Sequence, residues 1–460
     1  MHQQSKATSS SSSNPITEGV IWQQLLLFFF PILFGTFFQQ LYNTADAVIV
    51  GRFLGKQALA AVGGSTTSII NLLIGFFIGL SSGATVIISQ YYGAKKADMV
   101  GYAVHTAITA SIISGAILTA VGFFGAPLAL RAMGTPEDVL VFATLYIRIY
   151  FLGTIPNLIY NIGSGILRAV GDSKRPLYFL MASCFTNILL DILLVILLRF
   201  GIAGAAIATI FSQCVSAFLV ILTLTRTTDM HRLVLSRLGL DMRMLKRIIH
   251  IGLPSGLQSS MYGMSNVIIQ SSINALGTDT VSAWAAYGKI DAIFGMIVSA
   301  FGISITTFVG QNYGAGKSDR VRRGIKVCMG MTLASTLCLS FTLYNFGQYI
   351  FFTTDPEVLT IGMNILWFLV PTYVTYIILE IYSSSLKGVG DSWKPMIITM
   401  LGVCGLRVLW LLLYVPSHRS IYTVIFSYPL TWTVTSVLFL IYLHGFSYYR
   451  FKRHPKESMK

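Results

Sequence analysis

Long apolar stretches constrain this chain more than any other feature. Runs of roughly 20 or more mainly apolar residues recur from Ile21 to Leu443. Each run is long enough to cross a hydrocarbon core of about 30 Å. Because backbone groups in lipid find no water, we expect each run to be a helix, whose hydrogen bonds are internal. Alternating segments of about 10 residues, typical of membrane β-barrels, are not present. The chain is therefore predicted to be an all-α membrane protein.

The charge of the chain follows the membrane topology. Only 11% of the residues are charged, yet the net charge is +15. If the N-terminus is cytoplasmic, 24 of the 32 lysines and arginines fall in the N-terminal segment, in alternate loops on that side or in the C-terminal tail. This bias predicts a plasma-membrane protein with both termini in the cytoplasm, and it excludes nucleic acid as the reason for the basic charge.

The sequence repeats itself once. The segment 90–94, QYYGA, recurs as QNYGA at 311–315, and LRAVGDS at 167–173 recurs as LKGVGDS at 386–392. Each half of about 220 residues holds six apolar segments, so both halves enter the membrane from the same side. We therefore predict twelve transmembrane helices in two six-helix lobes, related by a parallel repeat and separated by a central cleft.

This organisation gives five segments. A polar, Ser-rich stretch at 1–17 is predicted to be a disordered tail. The N-terminal lobe covers 18–225 and the C-terminal lobe covers 248–446. Between them lies a basic cytoplasmic linker, 226–247, and a basic cytoplasmic tail follows at 447–460.

Polar side chains inside the apolar segments are the candidate functional residues, because such groups are costly in lipid. In the first lobe, Asp46, Asp191 and Thr209 fall at similar depths on three helices, and Asn187 shares a helix face with Asp191. Their oxygen atoms suit Na⁺, and a pair of neighbouring carboxylates equally suits a proton. The alternative is a polar cluster that only fixes helix packing.

The second lobe does not repeat the pair of acids. The repeat aligns Asp46 with about Ile269 and Asp191 with Trp410. A purely structural cluster has no reason to survive in one half alone, so this asymmetry favours one ion site, in the first lobe.

Further charged residues lie within predicted helices, and we expect most of them to form structural ion pairs. Arg407 is expected to pair with Glu380 or Asp291, and Lys289 and Asp291 with other helices. Arg148 is ambiguous between a structural and a functional role, and it stays with Lys289, Asp291, Glu380 and Arg407 as a possible secondary charged site. Pro31 interrupts the hydrogen bonding of the first helix and is a candidate hinge, although a static kink is an equal alternative. Gly75, Gly79 and Gly83 are spaced for close packing of two helices.

No motif for chemical catalysis or ATP hydrolysis is present. The segment 310–318 resembles a phosphate-binding loop but has one residue too many between its glycines. We therefore expect that the chain is neither an enzyme nor an ATP-driven pump and that it needs no cofactor. Its energy source is expected to be a gradient of H⁺ or Na⁺.

The doubled motifs identify a family resemblance. Gln-x-Tyr-Gly-Ala after the second and eighth helices, and Gly-Asp-Ser-x-x-Pro after the fourth and tenth, resemble the multidrug and toxic compound extrusion (MATE) family over nearly all the chain after residue 18. The resemblance implies two six-helix lobes around a V-shaped cleft. It also implies export of cationic or amphiphilic organic compounds, such as drugs and toxins, by antiport against H⁺ or Na⁺.

Within that family the chain is similar to the DinF-like branch. The resemblance implies that Asp46, Asn187, Asp191 and Thr209 form the first-lobe cation site of that branch. The NorM-like branch also uses acidic residues on the seventh and tenth helices, where this sequence has Tyr262 and Tyr376. That difference argues against a second-lobe ion site of the NorM type.

The chain is expected to act as a monomer in the bilayer on small-molecule substrates.

Two other functions remain open at this point. A flippase for a lipid-linked or amphiphilic cell-envelope precursor would use a similar two-lobed bundle. A channel or membrane scaffold is a third possibility, which the buried carboxylates and mid-helix prolines disfavour.

Overall fold

The computed structural model describes residues 14–349 and 355–443. Within these residues the chain is mostly helical, without a strand, and twelve membrane-length helical segments follow one another. In chain order they are α1 Ile21–Phe53, α2 Lys56–Gly93, α3 Ala97–Ala132, α4 Glu137–Leu152 with Thr154–Val170, α5 Lys174–Leu197, α6 Gly201–Arg226, α7 Met242–Asn274, α8 Thr278–Gly314, α9 Ser318–Tyr349, α10 Pro356–Val389, α11 Trp393–Ser417 and α12 Ile421–Tyr442. The predicted twelve-helix, two-lobe architecture is confirmed.

Two of these helices depart from a simple apolar rod. Helix α4 bends by 50° between Leu152 and Thr154. Helix α7 spans 33 residues, about 50 Å at 1.5 Å per residue, although it is among the more polar of the twelve. It begins at Met242, inside the predicted linker 226–247, because the Asp241 side chain accepts a hydrogen bond from the Met244 amide at 2.9 Å.

The two lobes pack against each other through α2 and α7. A Cβ atom added at Gly79 would lie 2.6 Å from the backbone of Gly256, so the two backbones are in direct contact. Gly83 packs on Gly252 in the same way. The small residues predicted to allow close helix packing therefore join the lobes to each other.

The repeated motifs meet at one end of this interface. Gly93 packs on the backbone of Gln311, and Gly314 packs on the backbone of Gln90, so the two copies of the motif pack against each other. Lys95, Lys96 and Lys317 follow directly. This end of the molecule is called the basic face below, and the end where α1 meets α2 and α7 meets α8 is called the opposite face.

A short N-terminal turn, Pro15–Glu18, lies across the basic face. The Asn14 side chain caps it by accepting from the Ile16 amide at 3.0 Å, and Ile16 is only 4% exposed. From the second lobe, Arg320 donates to the Ile16 carbonyl at 3.1 Å and Lys317 to the Thr17 carbonyl at 3.0 Å. The prediction of a disordered tail is therefore wrong for residues 14–17. Residues 1–13 and the predicted tail 447–460 lie outside the described residues.

Candidate functional site

The four predicted cation-site residues all lie in the core of the first lobe. Helices α1, α5 and α6, which carry them, pack against one another. Asp191 is fully buried, Asn187 is 1% exposed, Thr209 is 4% exposed and Asp46 is 7% exposed. The two carboxyl groups are near enough for the charge of Asp46 to act on Asp191. The structure thus brings together the acids that the sequence places 145 positions apart.

Most polar atoms of this cluster have no hydrogen-bond partner among the described residues. These atoms are both carboxylate oxygens of Asp191, Oδ1 of Asp46, and the amide oxygen and nitrogen of Asn187. The Thr209 hydroxyl donates to the Ala205 carbonyl at 3.1 Å, which leaves its oxygen free to accept. Buried polar groups are nearly always partnered, and a buried carboxylate without a partner is especially costly. The oxygen atoms therefore fit a proton or a small hard cation.

Tyrosines surround the acids, and the sequence analysis missed them. Both carboxyl groups act electrostatically on Tyr146, and Asp46 acts on Tyr42. The rings of Tyr146 and Tyr150 stack with centroids 6.2 Å apart. The spacing of four between Tyr146 and Tyr150 places both hydroxyls on one helix face, a pattern that could have identified them.

The backbone changes immediately beside the cluster. Helix α5 is a regular α-helix as far as Asp191, and its next six residues, Ile192–Leu197, form a π-helix. Such wide turns are rare and occur frequently at functional sites.

The matching position in the second lobe is apolar. Ile269, which is 2% exposed, belongs to the same hydrophobic cluster as Trp410. The repeat equivalents of the two acids thus lie in one cluster, as the acids do, but they bring no polar atoms to it apart from the Trp410 indole nitrogen, which donates to the Thr423 carbonyl at 2.9 Å.

Two buried charged groups of the second lobe contact hydroxyl groups and rings. Asp291 accepts from Tyr287 at 3.2 Å and from Tyr373 at 3.0 Å. Arg407 donates to the Thr431 hydroxyl at 3.1 Å and lies 4.2 Å from the ring centroid of Tyr428.

No ion pair joins Arg407 to Asp291 or Glu380 in the described part of the chain. The predicted pairing is therefore wrong, because neutral partners on α8, α10 and α12 reach these charges first. Glu380 instead accepts from Ser384 one helical turn away, at 3.1 Å.

Arg148 has a structural partner that the sequence analysis did not find. Its Nε donates to the backbone carbonyl of Phe123 at 3.2 Å, and its guanidinium lies 5.3 Å from the Phe123 ring centroid. Pro127 follows four residues later within α3 and has no amide hydrogen to offer that carbonyl. Arg148 therefore replaces a missing helical hydrogen bond and lies apart from the acid cluster.

A cavity of about 540 Å³ lies between the lobes toward the opposite face. Helix α1 lines one side of it with Gln40, Asn43 and Thr44, and α8 contributes Lys289. Lys289 is exposed and forms no ion pair among the described residues, contrary to the expected helix-to-helix pairing. Pro31 lies in α1 between this wall and the basic face.

Comparison with known proteins gives a consistent result. The sequence model of the family described as MatE matches residues 31–193 and again 254–412, which confirms the repeat. The probable multidrug resistance protein YoeA of Bacillus subtilis is 30% identical over 95% of this chain and 95% of its own. The FAD transporter of Shewanella oneidensis is 28% identical over 69% of this chain and 71% of its own. A solved structure described as the outward-facing conformation of a multidrug resistance MATE family transporter has a TM-score of 0.88 at 21% identity, covering 96% of this chain and 99% of that one.

Proposed function

The chain belongs to the MatE family, and from this premise we propose that it is a secondary active exporter of small organic compounds, driven by antiport of H⁺ or Na⁺. Asp46, Asn187, Asp191 and Thr209 bind the coupling ion. The observation that carries the proposal is the buried acid pair of the first lobe, in which both oxygens of Asp191 and Oδ1 of Asp46 have no hydrogen-bond partner among the described residues. The names of the relatives, a multidrug resistance protein and an FAD transporter, describe carriers of small organic molecules.

The donor set supports either ion. Two carboxylates, one amide oxygen and one hydroxyl oxygen match the preference of Na⁺ for oxygen ligands. The same pair of acids holds a proton, because two adjacent carboxylates in a low dielectric do not both ionise cheaply. Either ion lowers the cost of burying the pair, so ion binding and the arrangement of α1, α5 and α6 are linked.

Alternating access is supported by the arrangement of the lobes. Glycine contacts close the interface at the basic face, while a cavity lies between the lobes toward the opposite face. Rocking of one lobe against the other would open the basic face and close the cavity.

Helix α1 connects ion binding at the acid pair to the movement of the lobes. Asp46 faces the lobe interior, Asn43 and Thr44 face the cavity, and Pro31 lies between these residues and the basic face. Loading the acid pair would therefore shift a cavity wall directly.

In this proposal the protein is a monomer in the plasma membrane. The basic face, with both termini, is cytoplasmic, following the distribution of lysine and arginine. Transport needs no cofactor and no ATP. The four site residues follow the pattern of the DinF-like branch, which is part of the proposal.

A flippase for an amphiphilic cell-envelope precursor is the second candidate. The observation that favours it is the exposed Lys289 in the cavity, together with Arg52 at its edge, since a phosphate headgroup requires cationic contacts.

Efflux of a fluorescent organic ion, tested as a cation and as an anion, from loaded vesicles under an imposed pH or Na⁺ gradient tests the proposal. We expect Asp46→Asn and Asp191→Asn each to abolish gradient-driven efflux while the protein still folds. Asp138→Asn, an exposed acid at the start of α4, is the matched control and should transport normally. Wild-type rates in both site variants would refute the ion-site proposal. If neither gradient drives any organic ion, the flippase is favoured.

A further inference from the structure

The cavity between the lobes has a strongly biased charge. Among the described residues, its charged lining residues are Lys289 and Arg52, both cations, and no carboxylate lines it. Its volume of about 540 Å³ falls within the range of about 300–1,000 Å³ typical of small-molecule sites. A site for an organic cation is expected to present acids or aromatic faces, and the lining residues include neither.

The nearby acids are directed elsewhere or already have partners. Asp46 is 7% exposed and belongs to the first-lobe cluster, and it is not among the residues that line the cavity, although Asn43, three residues earlier, is. Asp291 is two residues from Lys289 but accepts hydrogen bonds from two tyrosines within the second lobe. Asp138 accepts from Gln57 at 3.3 Å on the exposed surface. Asp279 is ten residues before Lys289, about 15 Å along α8.

Lys289 is the one residue of the described part of the second lobe that lines the cavity. It lies eleven residues into α8, about 16 Å from the start of the helix. An uncompensated cation at membrane depth is costly and is usually functional. Its ammonium group carries three donors and no acceptor, so an anionic oxygen is its natural partner.

The remaining lining residues complete an amphiphilic site. Gln40, Asn43 and Thr44 supply amide and hydroxyl groups along one face of α1. Ala47, Val48 and Leu59 provide an apolar wall beside them. The arrangement suits a molecule with an anionic group at one end and an apolar body.

We propose that the cavity between the lobes binds organic anions, with the carboxylate or phosphate group of an amphiphile held by Lys289. This inference rests on the proposed export function and replaces the cationic cargo that the family resemblance implies. Lys289 sets the charge of the cargo, while Asp46 and Asp191 handle the coupling ion.

Binding is tested first, without transport. The purified, solubilised protein is titrated against two xanthene dyes of opposite charge, carboxyfluorescein and rhodamine 6G, with fluorescence anisotropy as the measurement. We expect the anion to bind more tightly than the cation. Lys289→Gln should weaken carboxyfluorescein binding by about tenfold, and Lys289→Arg should largely preserve it. Lys56→Gln, an exposed lysine outside the cavity lining, is the control and should bind as wild type.

Three results would overturn the inference. These are tighter binding of rhodamine 6G than of carboxyfluorescein, an unchanged carboxyfluorescein affinity in Lys289→Gln, and no detectable carboxyfluorescein binding at millimolar concentration. Thermal unfolding of each variant establishes that it is folded, and Lys289→Arg provides a folded reference that retains the charge.

A vesicle experiment distinguishes the two sources of the anion, a soluble molecule and a lipid headgroup. Carboxyfluorescein efflux reports a soluble anion, and transbilayer movement of a fluorescent phosphatidylglycerol reports a lipid headgroup. Lys289-dependent movement of either supports the inference and identifies the source, whereas movement of both at wild-type rates in Lys289→Gln contradicts it. Anion binding that no ion gradient drives would leave the inference standing and refute coupled export. Gradient-driven efflux of rhodamine 6G alone would support coupled export and refute the inference.

Discussion

The hydroxyl group of Ser173 donates a hydrogen bond to the backbone carbonyl of Leu27, 3.2 Å away. Leu27 lies four residues before Pro31, and proline has no amide hydrogen to offer that carbonyl. Ser173 ends the first copy of the repeated Gly-Asp-Ser motif. The candidate hinge of α1 is therefore held from outside the helix, by the loop between α4 and α5.

Ser173→Ala should destabilise the protein through loss of this bond. A typical hydrogen bond contributes about 1 kcal/mol, so we expect the apparent Tm to fall by about 1–2 °C. In a Pro31→Ala background the alanine amide supplies the missing donor, so the Ser173 substitution should cost much less there. The measurement is a double-mutant cycle of thermal unfolding.

The second repeat offers a matched control for this cycle. The hydroxyl of Ser392, the counterpart of Ser173, is buried without a hydrogen-bond partner among the described residues. Ser392→Ala should leave the Tm unchanged or raise it slightly. Equal losses for Ser173→Ala with and without Pro31 would show that the hydroxyl does not serve the proline site.

Arg148 should act on stability and leave ion coupling intact. Arg148→Ala leaves the Phe123 carbonyl without a partner, which costs about 1–3 kcal/mol. Adding Pro127→Ala restores an amide donor within α3 and should recover part of the loss. Thermal unfolding gives the stability, and efflux per folded molecule should match the wild type. A specific loss of ion coupling in Arg148→Ala would place this residue in the transport mechanism after all.

Gly93→Ala should force the lobes apart at the basic face. A methyl group there would overlap backbone atoms of Gln311, which cannot move aside as the end of a flexible side chain could. Overpacking of this kind costs about 1–3 kcal/mol, enough to shift a balanced equilibrium about tenfold toward the separated state. A cysteine at the fully buried position Ser89, in a protein without the exposed Cys214 and Cys338, should then react faster with a water-soluble thiol reagent.

The control for this prediction is Gly101→Ala, since nothing lies within 4 Å of a Cβ added at that position. It should leave the labelling rate at the wild-type value. Slow labelling in Gly93→Ala as well would mean that the glycine contacts do not control this interface.

His231, in the segment between α6 and α7, should make the protein acid-sensitive. Burial lowers the pKa of this imidazole below its usual 6.5, although the neighbouring Asp229 opposes the shift. The unfolded chain therefore takes up the proton first, and stability is lost as the pH falls below 6.5 toward the folded pKa. His231→Gln should reduce the fall in Tm between pH 7.5 and pH 5.5, and an identical fall in both proteins would contradict this.

The architecture and the acid cluster could be foreseen because each has a pattern in the sequence. Hydropathy shows the apolar runs, and the doubled motifs show the repeat whose two copies meet at Gly93 and Gly314. Asp46 and Asp191 could be grouped because counting residues from the helix ends gives depth. Charge in lipid is rare enough that equal depth is informative.

The partners of the remaining charges could not be foreseen. Arg407 was expected to find an acid, but a threonine hydroxyl and a tyrosine ring on α12 are nearer. Arg148 donates to a backbone carbonyl, a group that every residue has and that no sequence pattern identifies as a partner. The rotation of α8, which directs Lys289 into the cavity and Asp291 toward Tyr373, depends on packing between helices far apart in the chain.

The central claim, that the first-lobe acid pair exchanges an ion for cargo, is tested most directly by counting protons. Purified protein in a weakly buffered solution is mixed with carboxyfluorescein or with Na⁺, and the pH change gives the protons released per molecule. We expect release by the wild type, and by the Asp138→Asn control, in response to at least one of the two. We expect none from Asp46→Asn or Asp191→Asn. Equal release from the wild type and both site variants, or none from any of them with either addition, would refute ion exchange at the acid pair.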